Sequence, residues 1–132
     1  MSEETSLLDM KRNSIKDTPK SEPTSDNIVE LMEKEWPEMT TEFKKLQREQ
    51  YELFCHKQHD YGPGNISVGT QLKTKEEINL SLTGLWFRMN DKLQRVKTLL
   101  MTGRKSAVQD EPLEDAYLDV SNYGIMATIV GR

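Results

Sequence analysis

Between Thr74 and Gly103 the residues Leu82, Leu85, Trp86, Met89, Leu93, Val96 and Leu100 recur at intervals of three and four. Only a helix brings residues with that spacing to one face. Thr74 offers a side-chain cap for its first turn, and Glu76 and Glu77 suit its positive end. Gly103 supplies the left-handed conformation that helix ends need. A helix this long with one apolar stripe has to be covered by other elements, so the rest of the chain must supply that cover.

The other segments are helical as well. A first helix starts from a cap at Ser25 or Asp26 and carries Ile28, Val29, Leu31 and Met32 until Pro37 stops or kinks it. Thr40 or Thr41 caps a second helix, with Glu42 in its first turn. It bears Phe43, Leu46, Tyr51, Leu53 and Phe54, runs to about His59, and ends at Gly62 and Gly64. Residues 60–73 read as a long glycine-rich loop, in which Ile66 and Val68 alternate with Ser67 and Gly69 as a short extended piece would. Pro112 suits the first turn of a fourth helix, and Leu113, Ala116, Tyr117, Val120, Gly124 and Ala127 line one face of it. No strand pair and no internal repeat is visible. The expected fold is all-α: a helical bundle of three long helices and one short N-terminal helix, with the glycine-rich loop between helices two and three.

Residues 1–25 are rich in Ser, Thr, Glu, Asp and Lys, with Pro19 and Pro23, and read as a flexible tail ahead of a single helical domain over 26–132. Leu7, Leu8 and Met10 form a small apolar patch in that tail, either a chance cluster or a segment that docks on a neighbouring subunit. Hydrophobic residues are 35% of the chain and charged residues 30%, which suits helices with long charged faces or an oligomer that buries more than one chain does. The net charge of −4 comes from mixed acidic and basic residues. No basic stripe for a DNA or RNA duplex is present. Cys55 is the single cysteine, so no disulfide forms within the chain and a reducing cytoplasm is the expected setting. A buried thiol or a nucleophile are the two readings of it. No apolar run is long enough to span a membrane, and no signal-peptide core stands at the N-terminus.

The third helix also carries Arg88, Asp91, Lys92 and Arg95 at spacings of three and four. On a wheel of about 100° per residue this row borders the apolar stripe. A row there sits at the rim of a core, where the dielectric is lower. It reads either as a solvated row in which Asp91 pairs with Arg95, or as cations that meet phosphates, to which the planar arginine fork is suited. The fourth helix has the complementary pattern. Glu111, Asp115 and Asp119 recur every four residues, and Asn122 and Tyr123 continue the line. This row is expected opposite the helix's small apolar face. Leu118, Ile125, Met126 and Ile129 lie on that same far side, so the carboxylates belong between helices. They pair with Arg88, Lys92 and Arg95, or they hold Mg²⁺ bound to substrate phosphates. His56 and His59 have no third ligand at matching spacing, so no metal site is expected. No P-loop, serine elbow or CxxC is present.

The stretch KQHDYGPGN, residues 57–65, joins the second helix to the loop. Helix-stop chemistry accounts for Gly62. It leaves Asp60, Tyr61 and Asn65 unexplained. Backbone at glycines can approach a ligand closely, Tyr61 can stack on a base, and Asp60 and Asn65 can read a base edge or a hydroxyl.

Three stretches in order, HDYGPGN, LWFRMNDKLQRV and DEPLEDAYLDVSNYGI, resemble the family called nucleotide-modification-associated domain one. The resemblance rests on Asp60, Tyr61 and Gly62, then Arg88, Asp91, Lys92 and Arg95, then Glu111, Asp115, Asp119, Asn122 and Tyr123, and covers about residues 52–130. It implies a nucleotide-related ligand and a phage protein, and supplies no catalytic mechanism.

Two functions follow as expectations. The first is a non-catalytic, phage-encoded homo-oligomer in the host cytoplasm. It sequesters a small nucleotide, such as a cyclic dinucleotide signal, to blunt a host defence, and needs no cofactor. Arg88, Lys92 and Arg95 hold phosphates, and Tyr61 and Tyr123 stack on bases. Asp60 and Asn65 read edges, with Asn122 beside them, and the supporting carboxylates are Asp91, Glu111, Asp115 and Asp119. The second is a Mg²⁺-dependent nucleotide hydrolase or modification enzyme laid out like the all-alpha pyrophosphatases. There Glu111, Asp115 and Asp119 hold the metal and activate water. An interaction module without a small ligand is the plain third reading.

Overall fold

The structure is a computed structural model, and it describes residues 27–107 and 112–132. The 1–25 tail with its Leu7, Leu8 and Met10 patch, the Ser25 or Asp26 cap, and Glu111 lie outside the described residues. Among the described residues the chain is all-α, with five helices and no strand. They are α1 (Ile28–Glu35), α2 (Pro37–Tyr61), α3 (Gly64–Ser67), α4 (Lys75–Thr102) and α5 (Leu113–Gly131). No helix among the described residues is long and apolar enough to cross a membrane. The chain divides after Glu49 into two compact units.

The first unit holds α1 and the beginning of α2. Pro37 ends one helix and opens the next. It occupies the first position of α2, where its missing N–H has no partner to lose. Thr40 and Thr41 are therefore within the first turns of α2 and do not cap it, which corrects the expected start. The Thr40 hydroxyl donates back to the Trp36 carbonyl at 2.8 Å. The Trp36 N–H closes α1 on the Met32 carbonyl at 2.7 Å. An ion pair between Lys44 and Glu33 ties the two helices.

The second unit, from Gln50 onward, contains the core. The α4 cap forms as expected, as a full capping box. Thr74 Oγ1 accepts the Glu77 N–H at 3.1 Å, and Glu77 Oε2 accepts the N–H groups of Thr74 at 3.1 Å and Lys73 at 2.8 Å. Gly103, with φ 64°, ends the helix. The centre of the core is Leu85 of α4 against Met126 and Val130 of α5, with Phe54, Ile78 and Leu82 packed around them. Only part of the expected α4 stripe is covered. Leu85 and Val96 are buried, whereas Trp86, Leu93 and Leu100 stay at least half exposed. Cys55 is exposed, which removes the buried-thiol reading.

Two further expectations are corrected. Gly62, with φ 71°, stops α2, and Pro63 at φ −65° then leads into the single turn of α3. No extended piece forms over Ile66 to Val68. One helical turn, followed by a left-handed Val68, sends both side chains into the core. A branched residue pays sterically for that conformation, and packing holds it there. Val68 seats on Gly84, where an added Cβ would come 2.7 Å from Val68 Cγ1. The fully buried Ser81 donates to the Ser67 carbonyl and lies 2.6 Å from Thr70 Oγ1, so the turn is tied to α4. In α5 the buried face is Ala116, Asp119, Asn122, Met126 and Val130. That face is rotated from the expected apolar one towards the carboxylate row, and Asp119 in its middle lies between helices as expected.

Replacing Thr74 by alanine removes one half of the capping box and should lower the free energy of unfolding by about 1 kcal/mol, read as a lower urea midpoint at unchanged slope.

Candidate functional site: one carboxylate, two lysines, two cavities

Asp119 is 7% exposed. Its Oδ1 accepts from Lys57 Nζ of α2 at 2.8 Å, and its Oδ2 lies 3.1 Å from Lys92 Nζ of α4. Three helices thus meet on one charge cluster. A carboxylate buried this far requires partners, and here each oxygen has an ammonium. Burial works against the charge of Lys57, but the hydrogen bond and the charge of Asp119 outweigh it. The pKa of Lys57 is raised, with smaller help from the Tyr123 and Tyr61 oxygens.

Around this cluster the second unit is hollow on two sides. One cavity, of about 310 Å³, is lined by Lys57, Lys92, Arg95, Asp115 and Asp119, with Leu53 and Ala116 as its apolar floor. The other, of about 290 Å³, has Phe54, Tyr61, Tyr123 and Met126 as apolar and aromatic walls. Its polar groups are Asn65, Arg88 and Asn122, and it shares Lys57 and Asp119 with the first.

The polar groups of the second cavity are oriented by their partners. Arg88 Nη1 donates to both the carbonyl and Oδ1 of Asn65, at 2.9 and 3.0 Å. Arginine only donates, so Asn65 must turn its oxygen to it and keep its NH₂ for the cavity. The buried Asn122 donates its Nδ2 to the Gln50 carbonyl at 3.4 Å, which leaves Oδ1 as an acceptor. Gln50 is itself held by a hydrogen bond from its side chain to Ser121.

Of the residues singled out in the sequence, the structure brings Tyr61, Asn65, Arg88, Asn122 and Tyr123 to one cavity and Lys92, Arg95 and Asp115 to the other. Asp119 belongs to both. Asp60 is exposed, with its carboxylate 3.0 Å from His59 Nδ1, and lines neither cavity. Asp91 is exposed and also lines neither. Arg95 donates to Ser106 Oγ at 2.8 Å and to the Pro112 carbonyl at 3.5 Å. Of the expected pairings between α4 cations and α5 carboxylates, Lys92–Asp119 forms, and Lys57 of α2 joins it on the same carboxylate. Arg88 serves Asn65 instead.

Lys57, Gln50 and Phe54 were not among the site candidates read from the sequence. A signal for Lys57 does exist. It falls three residues after Phe54, four after Leu53 and four before Tyr61, so a lysine interrupts the apolar face of α2. A cation in such a stripe calls for a buried anion.

The family described as nucleotide modification associated domain 1 matches residues 57–130, more than half of the chain. The chain belongs to that family. The match begins at Lys57 itself. Of the residues lining the two cavities, only Leu53 and Phe54 precede it. No curated protein and no solved structure matches the chain. Among the described residues of this family member, no three of His, Cys, Asp and Glu come together as a metal group would.

Asp119→Ala leaves two ammonium groups without their shared partner. Complete burial would make the loss several kcal/mol, but the lysine side chains are about a third exposed. A loss of about 2 kcal/mol is expected after solvent screening, measured by urea unfolding at neutral pH. Because the folded pKa of Lys57 is raised, its contribution is complete below the unfolded lysine value of about 10.4. It is lost as pH rises through the folded value. Melting temperature should therefore fall on the alkaline side of about pH 10, and less steeply in Lys57→Met than in the native chain.

Proposed function

We propose that this chain binds a small nucleotide and holds it without chemical change. The observation that carries this reading is the pair of cavities on either side of the Lys57–Asp119 contact, one basic and one aromatic with oriented amides. Lys92, Lys57 and Arg95 meet a phosphate. A base enters between Tyr61 and Tyr123, where the Asn65 NH₂ and the Asn122 carbonyl oxygen offer a donor and an acceptor to its edge. Arg88 keeps Asn65 in place. The family's description, which associates it with nucleotide modification, supports the ligand class.

Each chain offers one basic and one aromatic cavity, so a cyclic dinucleotide, with two bases and two phosphates, calls for two copies around it. The half-exposed Trp86, Leu93 and Leu100 of α4 support a homo-oligomer. Sequestration of such a signal by a phage protein is the cellular form of this proposal. The alternative, Mg²⁺-dependent hydrolysis, would need Asp119 as a ligand together with Asp115 and Glu111. Both oxygens of Asp119 instead face ammonium groups, so a metal there would first have to displace a lysine.

The test is a thermal-shift panel of mononucleotides, deoxynucleotides and cyclic dinucleotides, with and without Mg²⁺, each ligand being recovered for chromatography. A ligand at a hundred times its dissociation constant stabilises by about 2.7 kcal/mol, and it should be recovered intact. Consumption of the ligand would move the assignment to the enzyme. Tyr61 is 67% exposed, so Tyr61→Ala should leave the melting temperature of the free protein unchanged. Loss of one stacked base should weaken binding by roughly tenfold or more, measured by calorimetry.

A further inference from the structure

The nucleotide reading above leaves open how many phosphates the basic cavity accepts, and the inference here rests on that reading. Lys57, Lys92 and Arg95 bring three positive charges to the lining, and Asp115 and Asp119 bring two negative ones. Asp119 is engaged by both lysines. Asp115 is different. Among the described residues no ion pair or side-chain hydrogen bond engages it, and its carboxylate stands in the same cavity as Arg95.

A lining whose described residues sum to one positive formal charge matches a small anion. A phosphate monoester carries about −1.5 to −2 at pH 7, and a phosphodiester about −1. Each further phosphoryl group adds roughly one more negative charge. In a cavity of about 310 Å³ that extra charge meets no additional lysine or arginine among the described residues, and it comes up against Asp115. Like charges brought together at a binding surface are costly, and such repulsion is a common source of selectivity.

A simpler role for Asp115 is its place in the first turn of α5, where a carboxylate suits the helix dipole. That role changes the stability of the fold and leaves the ranking of ligands alone. The two roles are therefore separable by measurement.

We infer that Asp115 makes the basic cavity a charge filter, which admits the single phosphate of a nucleoside monophosphate or a phosphodiester and turns away di- and triphosphates.

The experiment is calorimetric titration of the full chain with AMP, ADP and ATP, with GMP and GTP, with dTMP and dTTP, and with cyclic di-AMP. EDTA is present so that no divalent cation neutralises the phosphates. The native chain is compared with Asp115→Asn and Asp115→Glu. For the base that binds best, the monophosphate should bind roughly tenfold more tightly than the triphosphate. Asp115→Asn should reduce that ratio to about threefold or less through gain of triphosphate affinity, and Asp115→Glu should keep it. A triphosphate that binds the native chain as well as its monophosphate overturns the filter and leaves nucleotide binding standing. An unchanged ratio in Asp115→Asn, with only the melting temperature altered, returns Asp115 to its helix-end role. If no member of the panel binds, the filter and the nucleotide reading both fall.

Discussion

The second unit is organised around one carboxylate that two lysines share. Asp119 is almost fully buried, and Lys57 and Lys92 reach it from two other helices. This contact does two things at once. It sets the rotation of α5, because the carboxylate has to face the ammonium groups. It also holds two cations on one carboxylate, Lys57 at the junction of the two cavities and Lys92 in the basic one. A core of Leu85, Met126 and Val130 lies next to it and supplies the apolar half of the same packing. Buried ion pairs are weak net sources of stability, because desolvation offsets their attraction, yet removing one partner of a formed pair is costly. Here the arrangement is a shared wall between a basic and an aromatic hollow.

The α3 turn that carries Asn65 is held by different means. Left-handed Val68 and Leu72 are unusual for apolar side chains, at φ 53° and 55°. Val68 is held by its seat on Gly84, and the turn before it by the Ser81 hydrogen bond and the Arg88 bridge to Asn65, while the Leu72 N–H donates to Thr70 Oγ1 at 3.4 Å. Local strain of this kind persists only where the surroundings over-determine it. Its effect is to present one amide donor at a defined place beside Tyr61 and Tyr123. In the proposed function this is what turns a general basic hollow into a base-reading site.

Much of the fold was legible in the sequence. The Thr74 cap, the Gly103 stop and the three-and-four spacing of α4 are local signals, and each acts through groups within a turn of one another. The same holds for Gly62 at the end of α2. Arg88, Lys92 and Arg95 were legible as site candidates from residue type and their position beside an apolar stripe, and Tyr61 and Asn65 from a stretch that helix-stop chemistry leaves unexplained. Membership of the nucleotide modification associated family was legible from short motifs in order, and it extends from Lys57 to Val130.

What the sequence could not decide was direction. α5 is apolar nearly all round, so its periodicity picks out no single inward face. The face that turned inward carries Asp119 and Asn122, because only there do Lys57, Lys92 and the Gln50 carbonyl complete their bonds. Partner choice among charges was only partly legible: Lys92 with Asp119 was expected. Arg88 went to Asn65 and Lys57 to Asp119, over distances in sequence that no spacing rule reaches. The sequence by itself determined the helices, their ends and the supply of cations, carboxylates and aromatics, since these depend on neighbours along the chain. Only the tertiary structure decided which of them share a cavity, since a buried charge settles where partners from several elements can reach it together.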